Sequence, residues 1–157
     1  MSDASAPAAV PAHLTYELRL EVDASHLDGQ GHVNNVVYVH WVQDVAIAHW
    51  EALTTPAQRS ATGWVALRHE IDYLHPARLG DAVVVRTRIG ALEKLTFERF
   101  TEITRATDGR ALARARTLWC PVEPGTGRPR RVSADVRALF AEGPGGRAQG
   151  GGAGKLA

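Results

Sequence analysis

The sequence predicts an α+β fold, a five-stranded antiparallel sheet wrapped around one long helix. Two observations carry that prediction. A single helical stretch, Asn35 to Leu53, is apolar around most of its circumference, as a helix enclosed by other structure must be. One strand-like segment precedes it and four consecutive ones follow, so the strands have no intervening helices to make them parallel. With 157 residues and 45% apolar content, the chain is long enough for one compact domain and short for two.

The elements can be justified in order. Leu14 to Val22 reads as the first strand. In the helix, His40, Gln43, Asp44 and Glu51 recur every three or four residues and form one polar stripe, which Ile47 interrupts. Val37, Tyr38, Trp41, Val42, Val45, Ala48 and Ala52 fill the rest of the circumference. A loop containing Pro56 follows. Val65, Leu67, Ile71 and Tyr73 then alternate with Arg68, Glu70 and Asp72, a period of two that gives one apolar and one polar face. Pro76, which cannot donate to a ladder, ends that strand in the turn His75 to Asp81. Ala82 to Ile89 and Lys94 to Thr104 read as a hairpin-like pair. Arg110 to Cys120 is the last strand, with Ala111, Ala113, Ala115 and Thr117 as a strip of small side chains that admits a helix at close range. Ser133 caps a short helix, Ala134 to Phe140.

The two ends read differently. Residues 1–12 are Ala, Ser and Pro, and residues 142–157 are Gly-rich, so both are expected to be disordered tails flanking a domain over 13–141. A chain trimmed to residues 13–141 should therefore melt and turn over like the full chain, as differential scanning calorimetry and an activity assay would establish. Loss of folding on trimming would mean that a tail docks.

Charge and cysteine usage exclude several classes. The 18 Lys and Arg nearly balance the 17 Asp and Glu, and a net charge of +1 gives no global attraction to nucleic acid or an acidic membrane. No apolar run approaches the roughly 20 residues that span a bilayer. The one cysteine, Cys120, forbids an intrachain disulfide framework. The first thirteen residues lack the Lys or Arg of a signal peptide. The expected location is the cytoplasm. No cofactor and no metal are expected, since the seven histidines show no ligand spacing. Sheet edges and Ile47 need cover, and a homodimer or homotetramer supplies it.

The segment joining the first strand to the helix carries the chemistry: Asp28-Gly29-Gln30-Gly31-His32-Val33-Asn34-Asn35. Asn34 or Asn35 is a suitable helix cap, and the first backbone N–H groups of a helix are unpaired. Those groups and the helix dipole can polarise a carbonyl and hold the charge that develops on its oxygen. The same positive end favours Asp28 as a carboxylate, the form a base or nucleophile needs. On local composition alone, an ordinary Asp-Gly loop is the favoured account of these residues.

The string Asp28, Gly31, His32, Val33, Asn34, Asn35, Tyr38 resembles the signature of the 4-hydroxybenzoyl-CoA thioesterase-like hotdog superfamily. It is also similar to a motif of the plant acyl-carrier-protein thioesterases. Ile71 to Asp81 resembles the second recurring element of the same superfamily, so the likeness spans about residues 14–120. The resemblance implies a hotdog fold and hydrolysis of an acyl-CoA or acyl-carrier-protein thioester at sites on a protomer interface. It places the catalytic carboxylate at Asp28 and the carbonyl-polarising N–H at Asn35, with His32 and Asn34 orienting substrate or loop. Gly31 and Tyr38 are expected to line the substrate site. Gln30 stands where the plant motif has asparagine, and Glu70 lies near a carboxylate of the plant branch, although the alternation of its strand makes it part of a solvated face.

Arginines offer a second feature. Arg128, Arg130 and Arg131 cluster after the last strand and suit the phosphates of coenzyme A. Arg86, Arg88, Arg114 and Arg116 have strand spacing and are expected to pair across strands with Glu98 and Glu102. His69, on the apolar face of its strand, reads as a hydrogen-bonded core or interface histidine. Two other functions stay open: a hotdog dehydratase of 3-hydroxyacyl thioesters, which needs a histidine arrangement this motif lacks, and a non-catalytic acyl-thioester binding protein.

Overall fold

A computed structural model describes residues 11–141, and both expected tails lie outside that range apart from Pro11 and Ala12. The strands are β1 (Thr15–Glu21), β2 (Gly63–Tyr73), β3 (Ala82–Leu92), β4 (Phe97–Arg105) and β5 (Ala111–Val122). The helices are α1 (Asn35–Leu53), α2 (Pro56–Ala61) and α3 (Ala134–Ala141). All pairings are antiparallel in the order β1-β3-β4-β5-β2, so β1 and β2 are the sheet's edges.

Helix α1 begins where expected because the Asn34 side chain accepts the Val36 N–H at 3.1 Å. It ends at Leu53 because Thr54 turns to extended backbone (φ −123°, ψ 157°). Thr55, directly before Pro56, is barred from helical dihedrals by the ring that follows. Tyr38, Trp41, Val42, Val45, Ala46 and His49 make the buried face of α1. Their spacing lays them along one side, against Val83, Val85, Ile103 and Leu112 of the sheet. Each such side chain, fully buried, contributes about 1.5–3 kcal/mol. A second apolar cluster, Ile89, Phe97, Val136 and Phe140, seats α3 under the far end of α1 beside Trp50, Trp64 and Trp119.

Three expectations need correcting. The Pro56 segment is a helix, because Thr55 and Gln58 cap it reciprocally and Pro56 occupies its first turn. Strand β2 does not keep one apolar face throughout. A bulge between Ala66 and Arg68 leaves Leu67 without a partner on β5 and shifts the alternation. Ile71 and His69 therefore point into the structure, whereas Val65 and Leu67 are exposed. Finally, α1 approaches β1 and β3 most closely rather than the alanine strip of β5, although Ala113, Ala115 and Thr117 are buried as that strip implies.

The strand arginines pair across strands as expected. Arg86 meets Glu17 at 2.6 Å, Arg114 meets Glu102 at 3.7 Å, and Arg116 binds Glu98 and reaches Glu70 at 3.7 Å. Arg88 instead lies over the Phe100 ring, 4.2 Å from its centroid. His69 donates to or accepts from Thr117 at 3.0 Å, and its burial lowers its pKa.

Candidate active site

The loop from Val22 to Asn34 is built as a tight fold on the end of the sheet. Asp23 and His26 cap a short turn reciprocally, and the backbones of Leu27 and Val33 then pair across the loop. The Asp28 N–H donates to the His32 carbonyl at 2.7 Å, and closing so short a loop puts Gly31 at φ +76°. Gly tolerates that left-handed dihedral, where other residues are strained by about 1–2 kcal/mol. One oxygen of the Asp28 carboxylate accepts the N–H groups of Gln30 (2.8 Å) and His32 (3.1 Å). These two bonds hold the carboxyl pKa below its ordinary value, chiefly through the Gln30 N–H. The second carboxylate oxygen has no partner among the described residues.

The loop is clamped to the turn after β2. Val33 N–H donates to the Ala77 carbonyl at 3.0 Å, His32 bridges Arg78, and the buried Tyr38 hydroxyl accepts the Ala77 N–H at 3.0 Å. From β2, the Tyr73 hydroxyl donates to the Asn35 carbonyl at 3.0 Å. Asp28, Gln30, His32, Asn35, Tyr73 and His75 thus line one open cleft of about 460 Å³ at the start of α1. Asn34 is the cap, which resolves the choice between the two asparagines, and its own N–H goes to the His26 carbonyl at 2.8 Å. Asn34 caps the Val36 N–H, whereas the Asn35 N–H has no acceptor among the described residues and stays available at the positive end of α1. An exposed carboxylate and a free helix N–H on one cleft can activate water and polarise a carbonyl.

Of the residues expected from the sequence, Asp28, His32, Asn35 and Tyr38 line this cleft, and Gly31 and Asn34 lie in the same loop beside it. Tyr38 contributes the cleft floor, its hydroxyl oxygen already occupied by Ala77. Arg128, Arg130 and Arg131 are not brought here. Val122 pairs with Pro129, and Arg130 donates to the Ala61 carbonyl at 2.6 Å, which fixes them beside the start of β2. Eleven strand residues separate that end from the cleft, about 35 Å at the usual rise. Tyr73 and His75 were missed as site residues, although both lie in or beside the second recurring segment. Cys120 is buried, and no group of metal-ligating side chains is assembled among the described residues.

One long helix enclosed by a five-stranded antiparallel sheet, with a carboxylate loop at the helix start, is the hotdog architecture of thioester hydrolases. A profile of the thioesterase-like superfamily matches residues 22–140, and the chain belongs to that family. Thioester hydrolysis is the activity that membership carries. Among solved structures, the chain is similar to a thioesterase from Thermus thermophilus complexed with coenzyme A and zinc. The identity is 26% and the TM-score 0.70, over 80% of this chain and 96% of that one. A predicted thioesterase from Bacillus stearothermophilus is 25% identical with a TM-score of 0.71, over 82% and 95% of the two chains. A 1,4-dihydroxy-2-naphthoyl-CoA thioesterase from Synechocystis shares the fold at 19% identity and a TM-score of 0.70, over 82% and 96%. No curated protein matches the chain.

Proposed function

We propose that this protein hydrolyses acyl-coenzyme A thioesters in the cytoplasm, with Asp28 as the reactive carboxylate. The observation that carries the reading is the Asp28 side chain. Two backbone N–H groups hold one of its oxygens and leave the other without a partner, on the cleft where the Asn35 N–H stands free at the start of α1. The thioester oxygen accepts the Asn35 N–H, which drains charge from the carbonyl carbon. Asp28 takes a proton from water as the water oxygen bonds to that carbon, and the negative charge moves to the oxygen held by Asn35. Collapse of the tetrahedral species breaks the C–S bond, and the thiolate leaves and is protonated. If Asp28 itself attacks, an anhydride forms first and water opens it. A single turnover in heavy-oxygen water separates the two routes, because only the anhydride route leaves label in the protein. His32 and Asn34 act by orientation, Asn34 through the helix cap and His32 through its N–H to Asp28.

The coenzyme A bound in the Thermus relative supports this substrate class. The assay is incubation with benzoyl-CoA or decanoyl-CoA and a thiol reagent, and the expected result is free thiol in excess of enzyme. Binding without turnover, or an enoyl absorbance change without thiol, would overturn the reading in favour of a binding protein or a dehydratase.

The working form in this reading is a dimer or tetramer through the β2 edge. Val65, Leu67 and Tyr73 are 45%, 58% and 46% exposed along that unpaired edge, and Ile47 of α1 is 52% exposed. Antiparallel pairing of two β2 edges brings the Arg128 end of one copy toward the Tyr73 end of the other. That arrangement would return the arginines to a cleft where coenzyme A phosphates lie. Sedimentation at micromolar concentration should show no folded monomer, and Leu67→Glu should shift the protein to smaller species with reduced turnover. A fully active monomer would remove the shared site.

A further inference from the structure

The molecule has a second pocket, partly open to solvent, at the opposite end of α1 from the Asp28 cleft. Fifteen residues of helix separate Asn35 from Trp50, about 22 Å at the helical rise. Trp50, Trp64, Phe97, Trp119 and Phe140 line this pocket, with Ile47 at its edge. An aromatic enclosure of this kind normally excludes charge, yet Arg99 is part of the lining and is only 6% exposed.

Arg99 reaches that place by strand alternation. Phe97, Arg99, Thr101 and Ile103 all project from the inner face of β4. Its guanidinium donates to His49 Nδ1 at 2.8 Å, and His49 Nε2 in turn donates to the His13 carbonyl at 2.8 Å. This chain fixes His49 as the neutral tautomer, so the histidine accepts from Arg99 without neutralising it. Burial pushes the Arg99 pKa down to about 10, which still leaves a cation at neutral pH. No carboxylate forms an ion pair with it among the described residues, and the guanidinium lies over the Phe140 ring, 6.0 Å from its centroid. The Trp64 and Trp119 indole N–H groups are buried and also lack acceptors. A buried cation without an anion is costly, and a ligand that supplies one offsets that cost.

We propose that this pocket binds an apolar carboxylate, an aromatic or aliphatic acid whose body stacks among the tryptophans while its carboxyl group pairs with Arg99. Two sources share this chemistry. One is a free acid of the kind thioester hydrolysis releases, and the other is an acyl group carrying a carboxylate at its far end. Only this link to turnover rests on the hydrolase reading; binding itself does not.

Titration of the full-length protein with benzoate and with decanoate, followed by tryptophan fluorescence, tests the site. Saturable quenching is expected, with benzyl alcohol and decanol at least ten-fold weaker. Arg99→Gln should abolish the preference for the acid over the alcohol, whereas Arg99→Lys should retain part of it. Should Arg99→Gln fail to fold, Trp119→Phe removes part of the apolar lining and should weaken benzoate several-fold while the preference for acid over alcohol persists. Steady-state inhibition separates the sources: a free-acid site gives inhibition that excess acyl-CoA does not relieve, and an acyl-end site gives competitive inhibition. Equal affinity for acid and alcohol, or no quenching by either acid while thioester hydrolysis proceeds, would overturn the proposal and leave the hydrolase reading intact.

Discussion

Asp28→Asn should lower kcat by about 10² or more with little change in KM, the scale of losing a general base. Asparagine is nearly isosteric and its carbonyl oxygen can still accept the Gln30 and His32 N–H groups. The loop should therefore keep its shape while the group that takes the proton is gone. The Asn35 N–H remains to bind the carbonyl, which is why KM should hold. Thermal stability within about 1 kcal/mol of the parent is the control that makes the loss chemical. His32→Ala should cost less. Because the folded-state pKa of Asp28 is lowered, its carboxylate persists below the ordinary 3.8, and the acid limb of kcat/KM should fall below that value in the parent. Wild-type turnover by Asp28→Asn together with an inactive His32→Ala would replace this mechanism with a histidine-based one.

The second large effect concerns stability. His49 is 1% exposed, and desolvation lowers its pKa from 6.5 to about 4, with the Arg99 cation adding to the shift. Between those values the unfolded chain binds a proton that the folded chain refuses. Stability should thus be complete above pH 6.5 and fall as pH drops toward 4. The change is on the order of 2 kcal/mol after discounting for screening. His49→Phe should be less stable at pH 7 by about 3 kcal/mol, since it strips Arg99 of its acceptor and orphans the His13 carbonyl. It should also lose most of the slope between pH 4 and 6.5, leaving the His69 share and the carboxylate titrations below. Urea melts of both proteins across that range check the sign and the size.

Local signals were legible and long-range ones were not. The bounds of α1 follow from Asn34 and from the Thr54–Pro56 stop, and the Asp28–Asn35 loop is one contiguous segment whose bonds are nearly all internal. The cap around Thr55 and Gln58 was equally present in the sequence, but Pro56 drew it into a loop assignment. The β2 bulge at Leu67 leaves no compositional trace, because a residue added to a strand of alternating side chains reads as alternation either way. Tyr73 and His75 reach the cleft only once β2 folds back along α1. The Arg99–His49 bond joins residues fifty positions apart, and neither stood out alone. Arg99 did carry one sign, an inward parity shared with Phe97, Thr101 and Ile103.

The clamp between the Asp28 loop and the turn after β2 has a consequence for amide exchange. The loop is exposed and lies outside the named strands, which would ordinarily predict fast exchange throughout. Yet the Asp28, Val33 and Asn34 amides donate to the carbonyls of His32, Ala77 and His26, and Ala77 donates to a buried tyrosine. In deuterated water these four amides should persist together, while the neighbouring Gly29 and Asn35 amides exchange at once. The carboxylate then stands on a frame that opens only when the turn after β2 lifts from it, and substrate enters a cleft already shaped to receive it.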